Sequence, residues 1–252
     1  FVIYLCFVKR WRVYHQNIFS NLFSIKEQKE LYKVGTPIAV HTLLEVSAFS
    51  LSGIMMGWIG ATAMASHQIC SNISMVAFTI LLGIANATTI RVSHQYGARD
   101  FYSMKMAANA SVHLCLLVTV VMGLLFVLLR YPIMYLFTED KEVIKIGAEI
   151  LIAVGIYQIF DGMQVVGAGI LRGIKDVKIT MYAAFVSYLI INLPLGYVLA
   201  FVCNWGPLGI WAGFIGGLST AAFLFRIRYV RDFKLIDGGD YVDDTMRKSS
   251  ES

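Results

Sequence analysis

Six largely apolar stretches, each about long enough to cross a hydrocarbon core ~30 Å thick, divide this chain. They fall at roughly 35–60, 68–91, 106–130, 143–169, 179–202 and 207–226. The runs are continuous and lack the strict alternation of a lipid-facing β-strand, so they predict helices. In lipid a helix is the one open structure that satisfies every backbone N–H and C=O group internally. Composition agrees: 58% of residues are hydrophobic and 15% charged, well below the quarter or so charged in a soluble domain. The fold class expected is an all-α integral membrane protein, a bundle of six transmembrane helices lying in the bilayer.

The flanks read differently. Residues 1–12 open with Phe1–Val8, apolar and running straight into Lys9-Arg10-Trp11-Arg12, like the end of a preceding, truncated transmembrane helix and its basic exit. Residues 13–34 form a linker. Within it Ser24, with Glu27 three residues later, makes a capping box for a short interfacial helix ahead of the first span. The six-helix lobe is expected over 35–230, and 231–252 as a polar tail, rich in Asp, Ser and Gly toward its end.

Loop charge gives the orientation. Of the 21 Lys and Arg residues, only Arg130, Lys141 and Lys145 fall on one side of the proposed bundle. The rest lie on the other, which the positive-inside bias makes cytoplasmic. Both ends of the chain come out on that side, as an even number of spans requires. The localisation expected is a multi-pass protein of the cell (inner) membrane. The net charge of +5 is spread between apolar segments and forms no basic stripe, which argues against nucleic acid as a partner.

Two carboxylates stand inside this apolar frame. Glu45 lies within the first span and Asp161 within the fourth. An ionisable residue at membrane depth is costly and persists mainly where it faces a cavity or a partner. Glu45 is 12 residues beyond Lys33, about 18 Å along a helix, and Asp161 is 11 residues before Arg172, about 16 Å. Both basic residues mark the cytoplasmic edge, so the two acids are expected at similar depth near the midplane, where secondary transporters bind coupling ions. Helical spacing puts His41, Glu45, Phe49 and Ser52 on one stripe, and Tyr157, Asp161 and Gln164 on another with Gln158 at its edge. Carboxylates, a phenol and hydroxyls offer oxygen alone, which suits Na+ or a shared proton; softer transition metals prefer thiolate and imidazole.

Other features carry less chemistry. Gly209, Gly213 and Gly217 make two overlapping GxxxG steps for close helix approach. Asn192 and Pro194 are read as a kink in the fifth span. The sequence contains no GxSxG, HExxH or Walker A motif, and its five histidines and four cysteines have no ligand spacing. An enzyme is not expected, nor any cofactor beyond a coupling ion.

The motifs have a characteristic order. Gly35-Thr36-Pro37 is followed eight residues later by Glu45, then by Gly57-Trp58-Ile59-Gly60, Ala65-Ser66-His67-Gln68 and Asn72. Gly83, Arg91-Val92-Ser93 and Gly97-Ala98 close the second span, and Gln158, Asp161 and Gly169-Ile170-Leu171-Arg172-Gly173 mark the fourth. This series, over roughly residues 20–232, resembles the C-terminal lobe of a MATE (multidrug and toxic compound extrusion) transporter of the NorM type. After Gly173 the chain departs from that pattern with the more basic Ile174-Lys175-Asp176-Val177.

The resemblance implies a twelve-helix fold in two lobes, of which this chain is the second, with a missing N-terminal six-helix lobe as its partner. It implies that Glu45 and Asp161 belong to the cation-coupling site, with Na+ or H+ as the ion. Tyr157 matches an aromatic residue associated with that site. Phe49 matches an aromatic of the cavity, to which His41, Gln158 and Gln164 are added from their faces. Glu139 and Asp140 fall where some relatives carry acids implicated in binding cationic drugs. The function implied is antiport of a cationic, amphipathic small molecule. The alternative is a related flippase or exporter of lipid-linked or polysaccharide precursors, which calls for arginines at membrane depth that this half lacks.

Overall fold

A computed structural model of the protein describes residues 25–237, except for the side chain of Glu27. These residues are helical, joined by short turns. The helices are α1 (Ile25–Ile59), α2 (Ala61–Gly97), α3 (Phe101–Leu128), the short α4 (Arg130–Tyr135), α5 (Lys141–Gly173), α6 (Val177–Val202) and α7 (Pro207–Asp237). All but α4 are long and apolar enough to cross a membrane, six in total, as the hydropathy pattern predicts. Residues from Pro37 onward form one compact unit; of the unit before it, only the exposed first turns of α1 are described.

α5 is the central element and packs against α2, α3 and α7. Its sequence explains this. Without a hydrophobic driving force between helices in lipid, association relies on close backbone approach and interhelical hydrogen bonds. On α5, Gly155 meets Gly123 of α3 so closely that a Cβ on Gly123 would stand 2.6 Å from the Gly155 carbonyl oxygen. From α2, Ser66 Oγ donates to the Val143 carbonyl at 3.0 Å and Thr89 Oγ1 to the Gly169 carbonyl at 2.9 Å. The apolar side chains not used in these contacts, such as Leu117, Leu124 and Leu128 on α3, are exposed on the outer surface. That is where lipid would lie.

Several boundaries differ from expectation. The second helix starts at Ala61, not near 68. Ser66 and His67 read as loop because they are polar, yet both are buried: Ser66 bonds to α5, and the His67 ring lies 5.6 Å from that of Trp211. The third begins at Phe101, where Asp100 caps it by accepting from the Ser103 amide. The last runs on to Asp237 because Tyr229, Phe233 and Ile236 continue its buried face. The polar tail expected from 231 therefore does not start there, and 238–252 lie outside the described residues. Among the described residues no separate interfacial helix precedes the first span, since α1 is continuous from Ile25. The expected cap residue Ser24 and the helix end at 1–12 lie outside the described residues.

α6 holds the clearest departure from regular geometry. Phe185–Asn192 and Val198–Val202 are π-helical, on either side of Leu193–Tyr197. Leu193 N donates to the Tyr188 carbonyl five residues back, and Cys203 N to Val198 in the same pattern. Pro194 has no N–H to offer, and a wider turn is one way for a helix to pass such a residue without stopping. The α7 glycines face this irregular helix. A Cβ on Gly213 would lie 2.6 Å from Gly196 Cα and 2.8 Å from the Asn192 carbonyl oxygen. The GxxxG pattern thus serves the α6–α7 contact.

Two consequences can be measured in detergent-solubilised protein by thermal unfolding. Gly213→Ala is expected to destabilise by about 1–3 kcal/mol, because backbone blocks the added methyl. Gly83→Ala, with open space at its Cβ, should be neutral or stabilising by up to about 1 kcal/mol. Asp140 caps α5, accepting from the amides of Glu142 and Val143. Asp140→Ala should cost about 0.5–2 kcal/mol, with Asp140→Ser retaining most of the stability.

Candidate functional site

Three helices bring the expected residues together. α1 presents His41, Glu45, Phe49 and Ser52 one turn apart, with His41 and Ser52 buried. α5 presents Tyr157, Gln158, Asp161 and Gln164, all buried. α6 adds Tyr188, whose hydroxyl donates to Glu45 Oε1 at 3.2 Å. Glu45 and Asp161 lie within electrostatic reach of each other, and Tyr157 and Tyr188 within reach of both.

Glu45 is only partly buried because it borders a cavity of about 440 Å³, lined also by Thr42, Phe49, Ser71, Asn72 and Tyr157. One wall is aromatic. The rings of Phe49 and Phe214 stack with centroids 4.4 Å apart, and Tyr157 meets Phe49 edge-on at 6.4 Å. Trp211 backs Tyr157 at 5.6 Å, also edge-on. These edge-to-face and offset arrangements suit the ring quadrupoles and make a stiff wall. A larger groove of about 900 Å³ between α2 and α3 holds no acid among its lining residues.

Asp161 differs from Glu45. It is fully buried, does not line the cavity, and neither carboxyl oxygen has a hydrogen-bond partner among the described residues. The Gln158 amide beside it is equally enclosed and equally unpartnered. Natively buried polar atoms are seldom left so. A proton, a water or a cation would each satisfy these oxygens. His41 belongs one turn below Glu45, where its Nε2 accepts from the Gln164 Nε2 amide at 3.2 Å. The same amide leaves Gln164 Oε1 unpaired.

The arrangement has the chemistry of a hard-cation or proton site. Two carboxyl groups and the Tyr157 phenol offer oxygen ligands and no sulfur. Among the described residues, no group of three or more His, Cys, Asp or Glu is placed to hold a metal ion. Glu139 and Asp140 are not part of this cluster. Both are exposed at the start of α5, and Asp140 lies 17 residues before Tyr157, about 25 Å along the helix. Tyr188, Trp211 and Phe214 were not singled out in the sequence. A tyrosine in an apolar helix gives little signal, and the π turn around Tyr188 removes the 3.6-residue period that assigns faces.

Comparison with known proteins places this geometry in a family. The chain is 38% identical over 208 residues to "Multidrug resistance protein NorM" of Aliivibrio fischeri, covering 81% of this chain and 45% of the relative. It is 34% identical over 241 residues to "Probable multidrug resistance protein NorM" of Xanthomonas campestris pv. campestris, covering 95% and 52%. The chain thus spans about half the length of the curated relatives it matches. Among solved structures, "Crystal structure of MATE in the bent conformation" aligns with a TM-score of 0.80 at 17% identity, over 87% of this chain and 48% of that one. "Crystal structure of eukaryotic MATE transporter AtDTX14" aligns at 0.74 and 21%, over 82% and 46%. At these identities the likeness to the solved structures concerns the fold. The family model described as MatE matches residues 37–198 of the 252, and on that match the chain belongs to the MatE family.

Proposed function

We propose that this chain forms the C-terminal lobe of a cation-coupled antiporter that exports cationic, amphipathic compounds. MatE family members are transporters and not enzymes. The single observation that carries the finer reading is the Glu45–Asp161 pair. One acid opens onto an aromatic cavity and the other is enclosed with two unpartnered oxygens. A carboxyl group enclosed in this way is neutralised by a proton or by a bound cation. The oxygens of Glu45, Asp161 and Tyr157 would hold Na+ or share H+, and neutralising the pair would weaken the hold of the cavity on a cationic substrate. Phe49 and Tyr157 provide ring faces for such a substrate, through cation–π attraction. Exchange then follows if cation and substrate favour different states of the lobe. The multidrug-resistance names of the relatives support a toxic-compound substrate.

In this reading the other wall of the cavity belongs to a second six-helix lobe. The protein resides in the inner membrane, with Lys33, Arg172 and Arg228 facing the cytoplasm, in accord with the loop charges. The test uses vesicles containing the complete gene product. Efflux of a cationic dye is driven by an imposed H+ or Na+ gradient. Glu45→Gln and Asp161→Asn are each expected to reduce cation-driven efflux at least about tenfold, the loss of one charged ligand at low dielectric. Coupling that survives unchanged in both variants would remove the site.

A further inference from the structure

Two side-chain hydrogen bonds join α1 to other helices among the described residues: His41 to Gln164 of α5, and Glu45 to Tyr188 of α6. The second is unlike the first, because its acceptor is the group assigned to cation binding. Tyr188 is fully buried. Its place on α6 is set by the π segment Phe185–Asn192, which also carries Ser187 and Asn192 inward. Ser187 Oγ and Asn192 Nδ2 are buried without partners. Asn192 lies against Gly217 of α7, where an added Cβ would come within 2.6 Å of the Asn192 Cβ. The segment is thus wedged from behind by α7 and tied in front to α1 by one hydrogen bond.

Resting on the cation site proposed above, we infer that Tyr188 is a positioning residue that competes with the coupling cation for Glu45. In the cation-free lobe the phenol occupies one carboxylate oxygen and holds it toward α6. A cation, or a proton delivered to the same oxygen, neutralises the charge that makes this oxygen a strong acceptor for the phenol. The Tyr188 O–H keeps its own proton and loses its acceptor, so α6 is released from α1. The other ionisable groups within electrostatic reach of Glu45 are Asp161, Tyr157 and Arg172, and none of them donates a hydrogen bond to it among the described residues. Among the described residues, Tyr188 is therefore the side-chain donor with which the cation competes. A tyrosine that served as a cation ligand would act in the opposite sense, because its loss would weaken binding.

The experiment measures efflux of a cationic dye from vesicles holding the complete protein, against the concentration of whichever cation drives the wild type. Tyr188→Phe removes the hydroxyl and keeps the ring. Its half-saturating cation concentration is expected to fall roughly tenfold, the order of one hydrogen bond to a charged acceptor. In a Glu45→Gln background the same change should do nothing further. A half-saturation that is unchanged, or that rises, would overturn the assignment while leaving the cation site standing. A wild type without cation-dependent efflux would instead sink the functional reading, and this inference with it. Tyr188→Met provides a second hydroxyl-free variant should the first fail to reach the membrane. Failure of both to accumulate would mark Tyr188 as a packing residue and overturn the assignment as well. A role in packing alone would lower the amount of protein or the maximal rate without moving half-saturation.

Discussion

A carboxyl group removed from bulk water needs something to answer its charge, and this fold answers Glu45 and Asp161 differently. Glu45 has a phenol from another helix and an open cavity beside it. Asp161 has neither, only Gln158, whose own amide is unpaired. The difference follows from position. Glu45 stands on α1, at the edge of the bundle, whereas Asp161 stands on α5, the helix that three others surround. An acid placed there can be satisfied only by something small enough to enter a packed interior, and a proton or a bare alkali ion meets that condition.

The packing that isolates Asp161 is itself built from small residues. Gly155 and Gly162 flank the acid along α5: Gly155 lets the α3 backbone approach at Gly123, and Gly162 makes room for the side chains of Thr119 and Cys115. Ser66 and Thr89 of α2 bond directly to α5 carbonyls above and below. In lipid such contacts replace the burial of large apolar side chains that would hold a soluble core together. Asp161 consequently stands on a helix held by backbone-close contacts, while Glu45 sits on one tied to its neighbours by side-chain hydrogen bonds.

Much of this was legible in the sequence. The six spans, the two acids and their stripes follow from hydropathy and from the 3.6-residue period, both of which are strong signals in a membrane chain. The resemblance of the ordered Gly, Pro and Glu motifs anticipated the family. What stayed hidden has physical causes. Ser66 and His67 resemble loop residues until one sees the carbonyl and the indole they meet. Asp140 reads as a free acid, but an aspartate just before Lys141-Glu142-Val143 is also a helix cap, and the cap is what the structure shows. Tyr188 was invisible because face assignment presumes an unbroken α-helical period, and α6 breaks it twice.

That irregularity has a broader meaning for α6. Each wide turn shifts the phase of the helix, so side chains near it take directions that an unbroken 3.6-residue period would not give them. Upstream, Tyr188 addresses α1 while Asn192 meets Gly217 of α7; downstream, Gly196 and Ala200 meet Gly213 and Gly209. By changing phase, a single span acts as a seam between an edge helix that carries the ionisable group and a partner fitted to it by backbone alone.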